Sequence, residues 1–264
     1  MSSQDLIAIA KLSRIAALRM VHKSRTAHIG SSLSVIDIAV QLFSQIKLDN
    51  LSDPNRNVVL VSKGHAAAGI YAVMAHFKLI PYDLLDEYCV NGGAIGGHIT
   101  STNVPILEIS TGSLGHALPF GVGRAFAKKN MGLSGNIYVI LSDGECDEGS
   151  NWEAAMLASH LKLDNLKVVI DRNGLQSLGQ TESTLGLEPL DDKWKAFGWQ
   201  VNTINGHDFG DLAIITQPSA SIRPTVFIAQ TKKGYGVSFM ENNVAWHYKS
   251  PNDLDLANSI LELN

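Results

Sequence analysis

The chain has 264 residues, 45% of them hydrophobic and 17% charged, which suits one large domain with a buried core and excludes a disordered chain. A net charge of −4 and a pI near 6.1 leave no basic footprint for nucleic acid or an anionic membrane surface, and no apolar run reaches membrane-spanning length. Two cysteines, Cys89 and Cys146, are too few for a disulfide framework, so small soluble substrates and a reducing cytoplasm are expected.

Leu6, Ile9, Leu12, Ala16 and Met20 recur at helical spacing, predicting an amphipathic first helix with one buried face, not a signal peptide. The stretch 26–33, TAHIGSSL, reads as a loop whose Gly30 and serines let the backbone and His28 lie close to a bound group. A helix is predicted over 34–43, opened by a capping-box-like Ser34 and Asp37 pair. Residues 57–61 read as a buried strand, followed by SKGH at 62–65 and an Ala-rich helix over 66–77, which sets His65 at a helix N-terminus on the strand edge. The segment 92–100, GGAIGGHIT, is too glycine-rich for regular structure, so His98 rides on a loop. TGSLGHALPFGVGRAFA, from Thr111, opens another helix after Gly112 and Gly115.

Two short apolar runs, 137–141 and 166–170, read as buried strands with a helix over 152–161 between them. A right-handed crossover makes these strands parallel and puts Asp143 and Asn173 on one carboxyl edge, where open α/β sheets bind ligands. Beyond them follow a helix at 191–197, a strand at 199–204, GHD at 206–208, a strand at 224–229, a TKKGYG turn at 231–236 and a tail helix at 254–263. With no internal repeat or long linker, the expected architecture is α/β, a single domain over 1–264 with a mostly parallel sheet flanked by helices on both faces.

A carboxylate and an amide oxygen at adjacent strand tips are hard ligands suited to Mg²⁺, whose remaining positions go to phosphate oxygens and water. Asp143 fits that role, Gly144 lets the backbone approach a diphosphate, and Gly174 permits a turn that aims the Leu175 carbonyl at the same ion. The SDG at 142–144, with Asn173 to Leu175 about thirty positions on, resembles the thiamine-diphosphate fingerprint. DGECDEGSNWEA and DRNGLQ are more specific and resemble transketolases, above all the N-terminal half of split, two-subunit transketolases.

A lone histidine beside a strand or in a glycine-rich loop is usually structural, but four such histidines form a set. The resemblance implies that His65 and His247 contact the diphosphate and the reacting sugar. It likewise implies that His28 and His98 hold donor hydroxyls and shuttle protons, work that a near-neutral pKa suits. It places Gly112, Ser113 and Leu114 against the aminopyrimidine ring, and Glu148, counted with the cofactor-binding set, beside Glu153 where they face a partner and couple two active sites. GHD reads as structural, Cys146 as a small filler, and Lys232 and Lys233 as part of a solvated turn within reach of phosphates.

The implied activity is transfer of a two-carbon ketol unit from a ketose or ketose phosphate to an aldose acceptor, with thiamine diphosphate and Mg²⁺. In the family a glutamate on a pyrimidine-binding domain activates the cofactor, and that domain lies outside these 264 residues. A partner C-terminal subunit, in a heterotetramer of two copies each, is therefore expected. Other readings are a deoxyxylulose-phosphate-type synthase, an oxo-acid dehydrogenase alpha subunit, or a non-catalytic regulatory half. Three departures from the family pattern stand out: Ser177 and Leu178 after GLQ, GHIT at 97–100, and Tyr248 after His247 where glycine is usual. The last two flank the substrate funnel and bear on the sugar rather than on the cofactor.

Overall fold

A computed structural model of the chain describes residues 1–46, 51–218 and 221–264. Its centre follows from the apolar runs. Val58–Val61 (β1), Ile137–Ser142 (β2) and Leu166–Arg172 (β3) are buried at every position, Gln200–Asn205 (β4) is largely open to solvent, and Thr225–Gln230 (β5) is buried up to its last residue. Uninterrupted burial of this kind marks parallel strands covered on both faces. The order is β1-β2-β3-β5-β4 and every pairing is parallel, so among the described residues the sheet is wholly parallel. Ser142 stands opposite Asp171, and Asp171 opposite Ala229, so the three central strands end level.

Alternate strand residues point to opposite layers. Tyr138, Ile140, Val169 and Phe227 join one core, with Ser3–Ser24 (α1), Ile29–Phe43 (α2) and Ala67–His76 (α3) packed on it. Val139, Leu141, Val168 and Ile228 join the other, under Ala117–Asn130 (α4) and Gly149–His160 (α5). After the single turn Thr181–Thr184 (α6), Leu190–Ala196 (α7) completes that second layer with the fully buried Trp194. Phe209–Thr216 (α8) returns to the first layer, and Asp253–Leu263 (α9) packs on α1. Among the described residues no helix is long and apolar enough to cross a membrane.

Four features differ from expectation for local reasons. On α1 the packed face runs through Leu6, Ala10, Ser13, Ala17 and Val21, which leaves Leu12 half exposed. Helix α2 starts at Ile29, not Ser34, because its small residues serve close packing rather than a loop: every residue from Ile29 to Phe43 is buried, and a Cβ on Gly30 would lie 3.2 Å from the Trp246 carbonyl. Ser34 therefore does not cap a helix; its hydroxyl donates to the Asp171 carboxylate at 2.6 Å, while Asp37 pairs with Arg14. Helix α5 begins at Gly149, after a 3₁₀ turn over Gly144–Asp147, and α8 follows the GHD motif because the Asp208 carboxylate accepts from the Asp211 N–H at 2.9 Å, a helix-starting cap.

Candidate active site

The parallel sheet delivers four chain segments to one edge. Behind β1 come Lys63 and His65, behind β2 Asp143 and Gly144, behind β3 Asn173 and Gly174, and behind β5 Lys233. They open on a cavity of about 230 Å³, whose lining also includes His28, His98 and His247.

Asp143 is the most buried member of the oxygen set, at 1% exposure. Its Oδ1 accepts from the Gly144 N–H at 2.8 Å and its Oδ2 from the Gly174 N–H at 2.6 Å, with the Arg172 guanidinium at 3.4 Å. Burial, seconded by the nearby Asp171 charge, pushes its pKa up, so the ligand-free carboxylate lacks a full counter-charge. Asn173 Oδ1 accepts from the Leu175 N–H at 3.1 Å, which curls the chain through Gly174 at a φ of +79°. The Leu175 carbonyl is then met by the Lys233 ammonium at 3.3 Å, so the place already draws a cation. Among the described residues no three His, Cys, Asp or Glu side chains are grouped to hold a metal. One carboxylate, one amide and one carbonyl nevertheless fit a hard divalent ion that completes its shell with phosphate and water. A Cβ on Gly144 would lie 2.7 Å from Gln176 Cγ, so any larger residue here would have to displace the Gln176 side chain.

The histidines arrive from four separate segments. His28 is the left-handed residue that precedes α2, His65 sits in the 3₁₀ turn before α3, His98 in the glycine-rich loop, and His247 in a 3₁₀ turn before α9. The ring of His28 lies 5.5 Å from His65, 5.5 Å from His98 and 4.9 Å from His247, centroid to centroid. His28 N–H donates to the His247 carbonyl at 2.8 Å, which locks two of these segments together. Burial first, then neighbouring positive groups, lowers the pKa of His28 to about 4 and of His247 to about 3, and holds His65 well below the usual histidine range. The near-neutral titration expected of such a set is thus displaced for these three, whose rings are neutral at pH 7. His247 Nδ1 lies 2.9 Å from the Lys233 ammonium, which fixes Nδ1 as acceptor and leaves the ring hydrogen on Nε2.

This arrangement makes folding acid-sensitive. In the unfolded chain the rings take up protons as pH falls below about 6.5, whereas in the folded chain His28 stays neutral until about pH 4, so acidification through that window favours unfolding. We expect calorimetry to show the melting temperature falling between those pH values, and falling less steeply for the His28→Gln, His247→Gln double variant. Equal slopes would remove the neutral-ring assignment. Asp143 and Glu145, whose pKa values burial raises, act in the opposite sense but equally in both proteins.

Some site residues escape a sequence reading. Lys63 is 1% exposed; its ammonium reaches the Ser31 carbonyl at 3.0 Å, the Ser34 hydroxyl at 3.1 Å and the carboxylate of the fully buried Asp171. Lys233 does not belong to a solvated turn: it is 1% exposed, because Gly234 N–H docks the turn on the Gly30 carbonyl at 2.9 Å. Lys232 is the solvated one, 3.4 Å from Glu241. The available signal was position, since Lys63 and Lys233 each follow a buried strand, β1 or β5, by two or three residues. Glu145, also buried, accepts from the Ser62 hydroxyl and from the Gly115 N–H at 2.8 Å, and so anchors the TGSLG segment. From that segment Gly112 and Leu114 line the cavity, while Ser113 is exposed outside it. Glu148, expected among the cofactor-binding residues, is likewise exposed outside the lining: it is the residue before α5, pressed against Gly115.

A parallel α/β sheet whose central strand tips gather an oxygen donor set, two ammonium groups and a histidine cluster defines a binding domain for a diphosphate and its cation. The chain belongs to the transketolase family: residues 6–259 match the family described as transketolase, thiamine diphosphate binding domain. It is 41% identical over 243 residues to one of the subunits of the apulose-4-phosphate transketolase of Actinobacillus succinogenes, covering 89% of this chain and 87% of that one. It is 37% identical over 248 residues to a 6-deoxy-6-sulfo-D-fructose transketolase subunit from a Clostridium species, covering 92% and 90%. The crystal structure of transketolase from Campylobacter jejuni superposes with a TM-score of 0.90 at 28% identity, over all of this chain and 43% of that one. The chain therefore corresponds to the N-terminal, thiamine diphosphate-binding part of transketolases, at nearly the full length of relatives named as separate subunits.

Proposed function

We propose that this chain is the diphosphate-binding subunit of a two-subunit transketolase that moves a two-carbon ketol unit from a ketose with an anionic tail to an aldose acceptor. The observation that carries this reading is the convergence of four histidines, from four segments, on the cavity that also holds Asp143 and Asn173. The anionic tail rests on the relatives, one named for a sugar phosphate and another for a sulfonated ketose.

In this reading Asp143, Asn173 and the Leu175 carbonyl hold the divalent ion, and Gly144 admits the diphosphate. Thiamine diphosphate, when bound, supplies a nucleophilic carbon and an electron sink for carbon–carbon cleavage. Lys63 balances the buried Asp171 beneath the cavity, and Lys233 adds an ammonium donor on its lining that can meet a polyanion. His247 offers its Nε2–H as a donor, and burial, seconded by its neighbour Lys233, keeps it from becoming a cation. His28, His65 and His98 surround the remaining space; as neutral rings, His28 and His65 can each accept a proton from a sugar hydroxyl and return it. Gly112 and Leu114 wall the side reserved for the aminopyrimidine, with Ser113 beside them. Glu148 and Glu153 face the partner, a chain with the pyrimidine-binding domain that completes a heterotetramer in the cytoplasm.

The test is to reconstitute the chain with the C-terminal half of a split transketolase and assay ketose donors against aldose acceptors. Ketol transfer by the pair and not by either chain alone is the expected result. Full transfer by this chain alone, or release of CO₂ from pyruvate in place of transfer, would overturn the proposal.

A further inference from the structure

Tyr248 stands apart from the rest of the cavity lining. It is 64% exposed, yet it lines the cavity, and among the described lining residues it alone carries a benzene ring. The ring centroid is 4.8 Å from His247 at 62° and 6.4 Å from His28 at 50°, so it leans over two of the four histidines from the solvent side. Its mount is firm. Tyr248 N–H donates to the Ala245 carbonyl at 3.3 Å, and the preceding His247 carbonyl accepts from His28. Its phenol, by contrast, has no hydrogen-bond partner within the described chain. An aromatic on a hydrogen-bonded backbone, with a free hydroxyl and placed over the groups that handle sugar hydroxyls, is equipped to contact a ligand by face and by tip.

We propose that Tyr248 is a specificity-determining residue for the sugar donor, an inference that rests on the ketol-transfer reading. The side chain fills space that glycine, usual at this position in the family pattern, would leave open above His28 and His247. It therefore restricts how long a carbon chain the ketose extends past the two transferred carbons, and five-carbon donors fit better than seven-carbon ones. The phenol hydroxyl hydrogen-bonds a hydroxyl on the departing part of the ketose, a contact made alike before and during cleavage and so expressed mainly in KM.

Two variants separate the parts of the claim in the reconstituted two-subunit enzyme, with five- and seven-carbon ketose phosphates as donors and one aldose phosphate as acceptor. Tyr248→Gly raises the ratio of kcat/KM for the seven-carbon donor over the five-carbon donor at least about tenfold. Tyr248→Phe keeps that ratio but raises KM about three- to tenfold with little change in kcat, the scale of one hydrogen bond. Both keep the thermal shift that thiamine diphosphate with Mg²⁺ produces in the unmodified protein. A ratio unchanged by Tyr248→Gly, or a parallel loss for every donor, overturns the proposal. If the unmodified enzyme transfers no two-carbon unit at all, the ketol-transfer reading has failed. The role of Tyr248 is then decided by calorimetric affinity of the two ketose phosphates for the cofactor-loaded complex, where the same shift in preference is required.

Discussion

Asp143→Asn is expected to lower the affinity for thiamine diphosphate in the presence of Mg²⁺ by at least about a hundredfold, a loss of about 2.7 kcal/mol. The variant should nonetheless fold with a stability within about 1–2 kcal/mol of the parent. The two outcomes have one cause. At 1% exposure the carboxylate is held by two backbone N–H groups, and burial disfavours its charge. Neutralising it relieves that burial cost while giving up one accepting oxygen, so the folded state changes little. In the proposed ligand set the divalent ion loses its single anionic ligand from this chain, for which neither Asn173 nor the Leu175 carbonyl substitutes. Titration calorimetry of the reconstituted complex, alongside denaturant unfolding of the isolated chain, reads both. Unchanged affinity would remove Asp143 from the metal site.

Lys63→Met is expected to do the reverse and act mainly on folding, costing about 3–5 kcal/mol. Burial alone would push Asp171 up. The Lys63 charge, with hydrogen bonds from Lys63, Ser34 and Thr231, instead holds it below the usual carboxylate range. Removing the ammonium leaves a carboxylate at 0% exposure beneath the cavity with two hydroxyl donors and no counter-charge. Asp171→Asn in the same chain should recover much of the loss, since an amide carries no charge to strand. Urea midpoints of the three proteins test this, and a single variant as stable as the parent would show that the ion pair contributes nothing.

These two residues mark how far the sequence could be read. Asp143 and Asn173 were legible because each ends a run so apolar that its place in a buried parallel strand was unambiguous, and strand ends of one hand point to one edge. Glycines around His28, His65 and His98 likewise exposed their loops, though not that α2 begins directly after His28. The start of that helix depends on how closely Gly30 approaches Trp246, a contact between residues distant in sequence. Lys63 and Lys233 were hidden for a related reason. A lysine is ordinarily solvated, and only the fold brings Asp171, the Ser31 carbonyl and His247 close enough to replace water. The downward titration of the histidines belongs with them, since it follows from burial and from those same two ammonium groups.

The two borders of the sheet have a consequence for how this chain meets others. On one side β1 offers only the four residues of Val58–Val61, and Lys128 closes the segment before it through the Pro54 and Arg56 carbonyls. On the other, β4 presents exposed Gln200, Thr203 and Asn205. A margin of four buried residues on one side and a polar one on the other are poor templates for strand addition, which disfavours ribbon-like self-association. Contacts with copies or companions are thereby left chiefly to helical surfaces and connecting loops.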